Sequence, residues 1–169
     1  DDQLTVTSLD PEEAAASPSK ASSGATSGDY EEEVLSNGRR IVLKRDSRVP
    51  TVDLQAAFLA GLPSERPETS GLGTLHAATL LKGTQNRSSV EFGNALESLG
   101  ARLRLATGNN TSLFSGFCLA DDLAEYLSLA AEALQIPAFS EKTILRERET
   151  QLAAIKEASQ DPGKMAFYH

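Results

Sequence analysis

Asn37-Gly38 restricts the fold more than any other feature of this chain. The pair separates Tyr30–Ser36 from Arg39–Arg45, two stretches of equal length. Both residues tolerate the positive φ of a tight turn, so the segment is expected to form an antiparallel hairpin. Val52, Leu54, Ala56, Phe58 and Ala60 then alternate with more polar neighbours up to Gly61, the period of a half-buried strand. Leu103 and Leu105 continue the sheet, and Gly108-Asn109-Asn110 turns the chain into a strand around Leu113–Leu119. Helical signals fill the intervals. A helix over about Leu72–Leu81 stops at Gly83, a C-terminal cap. Ser88 and Glu91 form a capping box for a helix with the apolar stripe Val90, Phe92, Ala95, Leu96 and Leu99, ended by Gly100. Asp121 and Asp122 begin a helix carrying Leu123, Leu127, Ala130, Ala131 and Leu134, closed by Pro137, and Ser140 caps a final long helix. This order predicts an α+β fold, a mainly antiparallel sheet with helices packed on one face.

Charge divides the chain in two. Residues 1–33 hold nine acidic groups and one basic group, whereas residues 34–169 hold fifteen of each, so the acidity belongs to the N-terminal segment. Between Ser8 and Asp29, fifteen of 22 residues are Ser, Ala, Gly or Pro and Leu9 is the one large aliphatic residue. That stretch has too little apolar surface to offset the entropy of ordering it. Residues 1–29 are therefore expected to be a flexible acidic linker or tail, with Leu4-Thr-Val6 as the end of something upstream. Residues 30–169 form the folded lobe, and Met165–His169 ends it in an uncapped apolar pattern, as if the lobe were truncated there. With no basic excess to meet phosphates, nucleic acid is not an expected partner. No apolar run reaches the ~18–20 residues of a membrane span. The one cysteine, Cys118, sits in the apolar run Leu113–Leu119, where a buried structural thiol is expected. A nucleophilic role would also need a histidine, and only His76 and His169 exist.

Two separated segments carry a resemblance. The first reads Gly71-Leu-Gly-Thr-Leu-His-Ala-Ala-Thr-Leu-Leu-Lys-Gly-Thr84, and the second Arg146-Glu-Arg-Glu-Thr-Gln-Leu-Ala-Ala-Ile-Lys-Glu157. The first resembles the zinc helix of the pitrilysin/insulinase peptidases, the inverted zincins that include the mitochondrial processing peptidase, whose pattern runs G-L-A-H-x-x-E-H-M-x-F-K-G-T. Gly71, Leu72, Lys82, Gly83 and Thr84 keep its frame. By that resemblance the first zinc histidine falls on Thr74, the catalytic glutamate on Ala77 and the second histidine on Ala78. Ligands at i and i+4 share one helix face and can reach one cation, and the adjacent glutamate can polarise its water. Alanine offers no lone pair, and threonine is a poor zinc ligand. His76 does not substitute, since at about 100° per residue it points some 200° from position 74.

The second segment resembles the family's later helix, E-R-x-x-x-x-x-E, which supplies the third ligand. Glu147 aligns with the first, accessory acid. The ligand position falls on Ala154, 76 residues after Ala78, while Glu157 lies a turn out of register. The resemblance thus implies a noncatalytic half, with no catalytic residue and no metal site in this chain and zinc only in a partner half. It implies the first α/β lobe of such a half over residues 30–169. The expected partners are the catalytic half of the same protein, or a partner subunit, and a peptide enclosed between the two. The alternative is a structural assembly protein that keeps the peptidase fold without proteolysis. Compartment stays open, because the composition suits the bacterial periplasm and the cytoplasm alike.

Overall fold

In the computed structural model, which describes residues 3–6 and 30–160, six strands make one sheet. They are β1 (Gln3–Val6), β2 (Tyr30–Val34), β3 (Arg40–Asp46), β4 (Thr51–Leu59), β5 (Arg102–Thr107) and β6 (Thr111–Leu119). Four α-helices accompany them among the described residues: α1 (Leu72–Leu80), α2 (Ser89–Ser98), α3 (Leu123–Gln135) and α4 (Glu141–Gln160). The sheet order is β2-β3-β1-β4-β6-β5, and every pairing is antiparallel except β1 with β4. This is the α+β class predicted from the sequence.

The hairpin forms, with a looser turn than a two-residue connection. Leu35 N–H donates to Arg39 O at 2.7 Å and Gly38 N–H to Leu35 O at 2.9 Å. Only Gly38 takes a positive φ, 79°. Asn37 instead accepts Arg39 N–H on its side-chain oxygen at 3.0 Å, so its polar group stabilises the turn without a left-handed backbone. A larger difference concerns Gln3–Val6, expected within the N-terminal tail. It forms β1 between β3 and β4, antiparallel to one (Gln3↔Asp46) and parallel to the other (Thr5↔Asp53). Strands β3 and β4 follow one another in the chain but do not pair, and β1 occupies the gap between them. The linker expectation for residues 7–29 and the truncation expectation for Met165–His169 lie outside the described residues.

Strand register decides which face is buried. Val52, Leu54 and Ala56 oppose Cys118, Gly116 and Phe114, while Leu103 and Leu105 oppose Gly116 and Phe114 on the other side of β6. This face meets the helices, and Val52, Phe92, Leu99, Ala101, Cys118, Tyr126, Leu129 and Ala133 form the core. The opposite face carries exposed Leu59, Leu113, Leu119, Arg102 and Arg104. The capping box of α2 is present: Glu91 N–H donates to Ser88 Oγ (3.3 Å) and Ser88 N–H to Glu91 Oε2 (2.8 Å). Val90 departs from the predicted stripe and is 70% exposed, since it lies about 200° around the helix from buried Phe92. In α3 the predicted Leu127 and Leu134 face outward, and Tyr126, Leu129, Ala130 and Ala133 face the core. Tyr126 can be fully buried because its hydroxyl donates to Arg102 O at 3.2 Å, satisfying its polar end.

Candidate functional site

Helix α1 begins on a device built from glycine and one carboxylate. Gly71 starts it at φ 87°, a left-handed conformation unsuited to side chains. Glu65 reaches across the turn and accepts the N–H groups of Gly71 and Gly73, both at 2.7 Å. These donors are among those a helix start leaves without an intrahelical partner. At Gly73 a Cβ would lie 3.0 Å from both Glu65 Oε1 and Thr107 Cγ2, so the helix entry packs directly on β5. Thr107 Oγ1 donates to Gly73 O at 3.1 Å and lies 3.0 Å from Ser112 Oγ. The connection between β4 and α1 thus delivers the group that anchors the helix.

The backbone N–H groups of Gly73 and Gly71 hold the Glu65 carboxyl below its ordinary value of 4.5. A lowered folded pKa means that Glu65 stabilises the fold above the ordinary value and that this contribution is lost as pH falls through the lower folded value. Glu65→Gln should therefore be less stable than the parent at pH 7, with the gap closing in acid. Urea denaturation of both proteins at pH 7, 5 and 3.5 checks this, and a gap independent of pH would refute the role.

At its far end α1 stops at Leu80, with Leu81 as the capping residue rather than Gly83. Gly83 sits two residues further at φ 111°, where a Cβ would come within 2.9 Å of Ser89 N and 3.0 Å of Arg87 O. It lets the chain pass tightly beneath the start of α2. Thr84 is buried, bridges Pro137 and donates from its hydroxyl to Glu132, which also pairs with Arg87. No local pattern announces this cluster, because Glu132 is 48 residues from Thr84.

Helix α4 lies antiparallel along α1, fastened at two points. Lys82 Nζ is 3.7 Å from Glu147 Oε1, and Gln151 Nε2 donates to Gly71 O at 3.0 Å. Thr74 and Ala78 share one stripe of α1 at i and i+4, with Lys82 just past its end; Glu147, Gln151 and Ala154 share one stripe of α4 at i, i+4 and i+7. On α4 both contacts come from the stripe that contains Ala154, while on the α1 side they come from Gly71 before the helix and Lys82 after it. Thr74 and Ala154 are exposed, Ala77 and Ala78 half-buried, and Ala154 extends a turn beyond Gln151. Beside the stripes a groove is lined by Leu72, Leu75, Arg148, Gln151, Leu152 and Ile155, among others.

Zinc does not fit the side chains found here. His76 is exposed, with its ring centroid 5.6 Å from that of Phe139. The Glu147 carboxylate is engaged by Lys82 and, at 3.0 Å, by Arg146. Among the described residues no group of three or more His, Cys, Asp or Glu is placed to hold a metal ion. Cys118 is fully buried, and burial pushes its thiol pKa up, away from the thiolate a nucleophile requires. Among the same residues no helix is long and apolar enough to cross a membrane.

Residues 40–169 match the family described as insulinase (peptidase family M16). An uncharacterized zinc protease of Rickettsia bellii is 23% identical over 133 residues, covering 79% of this chain and 32% of the relative. The Bos taurus cytochrome b-c1 complex subunit 1 is 27% identical over 123 residues, covering 73% and 25%. Among solved structures, a peptidase M16 inactive domain from Pseudomonas fluorescens superposes with a TM-score of 0.65 at 27% identity, covering 70% of this chain and 29% of that one. A Helicobacter pylori protease has a TM-score of 0.69 at 19% identity over 80% and 33%, a likeness of fold. The chain spans about a quarter to a third of the length of these curated relatives. With most of its length matched, this chain belongs to the insulinase family of peptidases, family M16.

Proposed function

We propose that the chain is a noncatalytic lobe of an insulinase-type metallopeptidase, which pairs with a zinc-bearing half and forms part of the wall of a peptide-enclosing chamber. One observation carries the reading. The two helices that hold the ligands in active relatives lie side by side here, pinned by Gln151 to Gly71 and by Lys82 to Glu147, while positions 74, 77, 78 and 154 hold Thr, Ala, Ala and Ala. The scaffold is kept and the donors are not. Edge strand β5 adds a surface suited to an extended peptide, because its only strand partner among the described residues is β6 and α1 packs beside it.

Purified alone, the chain should contain no stoichiometric zinc and cleave no peptide. Elemental analysis after metal-free dialysis and zinc addition, with an assay on unstructured peptides, tests this. Tight 1:1 zinc binding would overturn the assignment.

The identity with a cytochrome b-c1 complex subunit favours a second reading, a structural protein with this fold and no proteolysis in the assembly. The partner half discriminates. An H-x-x-E-H helix there, with peptide cleavage by the reconstituted pair, supports the peptidase; a partner equally lacking donors supports the structural role.

A further inference from the structure

We infer that α4 is a hinged strap: it pivots at Phe139, and the ring of His76 on α1 latches it closed. The inference concerns motion within the lobe and does not depend on the chamber-wall reading.

The pivot is one residue between two fixed ends. On one side the segment after α3 is stitched to the segment after α1, since Gln85 N–H donates to Ile136 O at 2.9 Å and Ala138 N–H to Gly83 O at 3.1 Å. On the other side Ser140 starts α4: its hydroxyl accepts Thr143 N–H at 3.3 Å and its carbonyl accepts Ile144 N–H at 3.0 Å. Phe139 joins the two at φ 41°, the one non-glycine residue with a positive φ among the described residues. A bulky side chain disfavours that conformation, so it persists only where its surroundings hold it. The hold comes from α1, because the Phe139 ring lies 5.6 Å from that of His76, with the two planes tilted by 41°.

The strap itself is lightly fastened. Helices α1, α2 and α3 each contribute buried residues, whereas none of the 20 residues of α4 is buried, and its Leu145, Leu152 and Ile155 are exposed. Its polar ties to α1 are Gln151 on Gly71 and the 3.7 Å approach of Lys82 to Glu147, a pair that solvent and salt weaken. An element with so few buried contacts opens at a fraction of the cost of unfolding the whole domain. Swinging about Phe139 moves Leu152 and Ile155 away from Leu72 and Leu75 and widens the groove that the two helices share. Relief of the Phe139 backbone favours the open position and the ring contact favours the closed one, so these two residues set the balance.

Hydrogen exchange on the 169-residue protein, read by mass spectrometry, tests this. Amides of α4 should exchange roughly a hundredfold faster than those of α3 and β6. Phe139→Ala keeps the backbone penalty and loses the ring, so α4 should exchange about fivefold faster still, with α3 and β6 unchanged. His76→Ala should do the same, and His76→Ala/Phe139→Ala no more than either alone, because both remove one contact. Phe139→Gly loses the ring but relieves the backbone, so its α4 should exchange about fivefold more slowly than in Phe139→Ala. Pulsed electron paramagnetic resonance separates swinging from unwinding. Nitroxides on exposed Arg104→Cys and Glu157→Cys, with Cys118 buried out of reach, should give two distances, the longer one growing in Phe139→Ala. A single distance unchanged by Phe139→Ala, or exchange of α4 at the rate of α3, would overturn the strap. Acceleration of α3 and β6 along with α4 would place Phe139 in the cooperative core and overturn it equally. No effect of His76→Ala, or one that adds to that of Phe139→Ala, would overturn the latch, and equal exchange in Phe139→Ala and Phe139→Gly would overturn the pivot.

Discussion

Gly116→Ala is expected to destabilise the protein by about 3 kcal/mol, the upper part of the usual range for overpacking a well-filled core. Gly116 lies on β6 opposite Leu54 and Leu103, on the face that meets the helices. A methyl group there would overlap two atoms at once, the Arg102 carbonyl oxygen and the Tyr126 hydroxyl. These are the two partners of the 3.2 Å hydrogen bond that satisfies buried Tyr126. The side chain could shift, but the carbonyl belongs to strand β5 and moves only with it. A fall in melting temperature of roughly 10 °C should follow for a domain of this size.

Two companion variants separate the causes. Gly116→Ala/Tyr126→Phe removes the hydroxyl overlap and leaves the carbonyl, so it should recover only part of the loss. Gly93 lies inside α2 with open space where its Cβ would be, so Gly93→Ala should stabilise by about 0.5–1 kcal/mol through helix propensity alone. Urea unfolding of all three measures the set. If Gly116→Ala proved as harmless as Gly93→Ala, the close passage of Tyr126 over β6 would be wrong.

The same residues show where sequence reasoning stops. The strands around Val52–Ala60 and Leu113–Leu119 are legible because burial on one face imposes a period of two. The Ser88–Glu91 box is legible because both of its hydrogen bonds close within four residues. Periodicity selects Leu127 and Leu134 over Tyr126 because it treats a tyrosine as partly polar. Its burial depends on a carbonyl 24 residues away and on a glycine that leaves room for the ring's end. Glu65, Thr84 and Glu132 carry no local signal for the same reason, since each acts on a group brought near only by the fold. The short β1 has no strand signal of its own, because pairing on both sides, rather than its four residues, makes it a strand. For the α1–α4 pair, the frame residues Gly71, Lys82 and Glu147 mark two segments that the fold joins. The contact that seats one end, Gln151 on Gly71 O, was visible only in three dimensions.

Restoring four side chains should turn this lobe into a zinc protein. The variant Thr74→His/Ala77→Glu/Ala78→His/Ala154→Glu places two imidazoles one turn apart on α1 and a carboxylate on the stripe of α4 that already carries Glu147 and Gln151. Three protein ligands leave the fourth zinc position for water, which the glutamate at position 77 would polarise. Where the parent should bind no stoichiometric metal, the variant should bind one zinc per chain with a dissociation constant of about 1 µM or tighter, worth roughly 8 kcal/mol. The four positions tolerate larger side chains, two being exposed and two half-buried. His76 would add a third imidazole on the same helix, so the comparison is best made with His76→Ala in both proteins. Moving the carboxylate one residue, Ala153→Glu in place of Ala154→Glu, rotates it about 100° around α4 and should weaken binding at least tenfold. Competition with a chromophoric chelator reads each affinity. Equal zinc binding by the two carboxylate positions, or none by either, would mean that α1 and α4 do not present these residues to a common point, and the reading of this lobe as a peptidase half without its donors would fall with it.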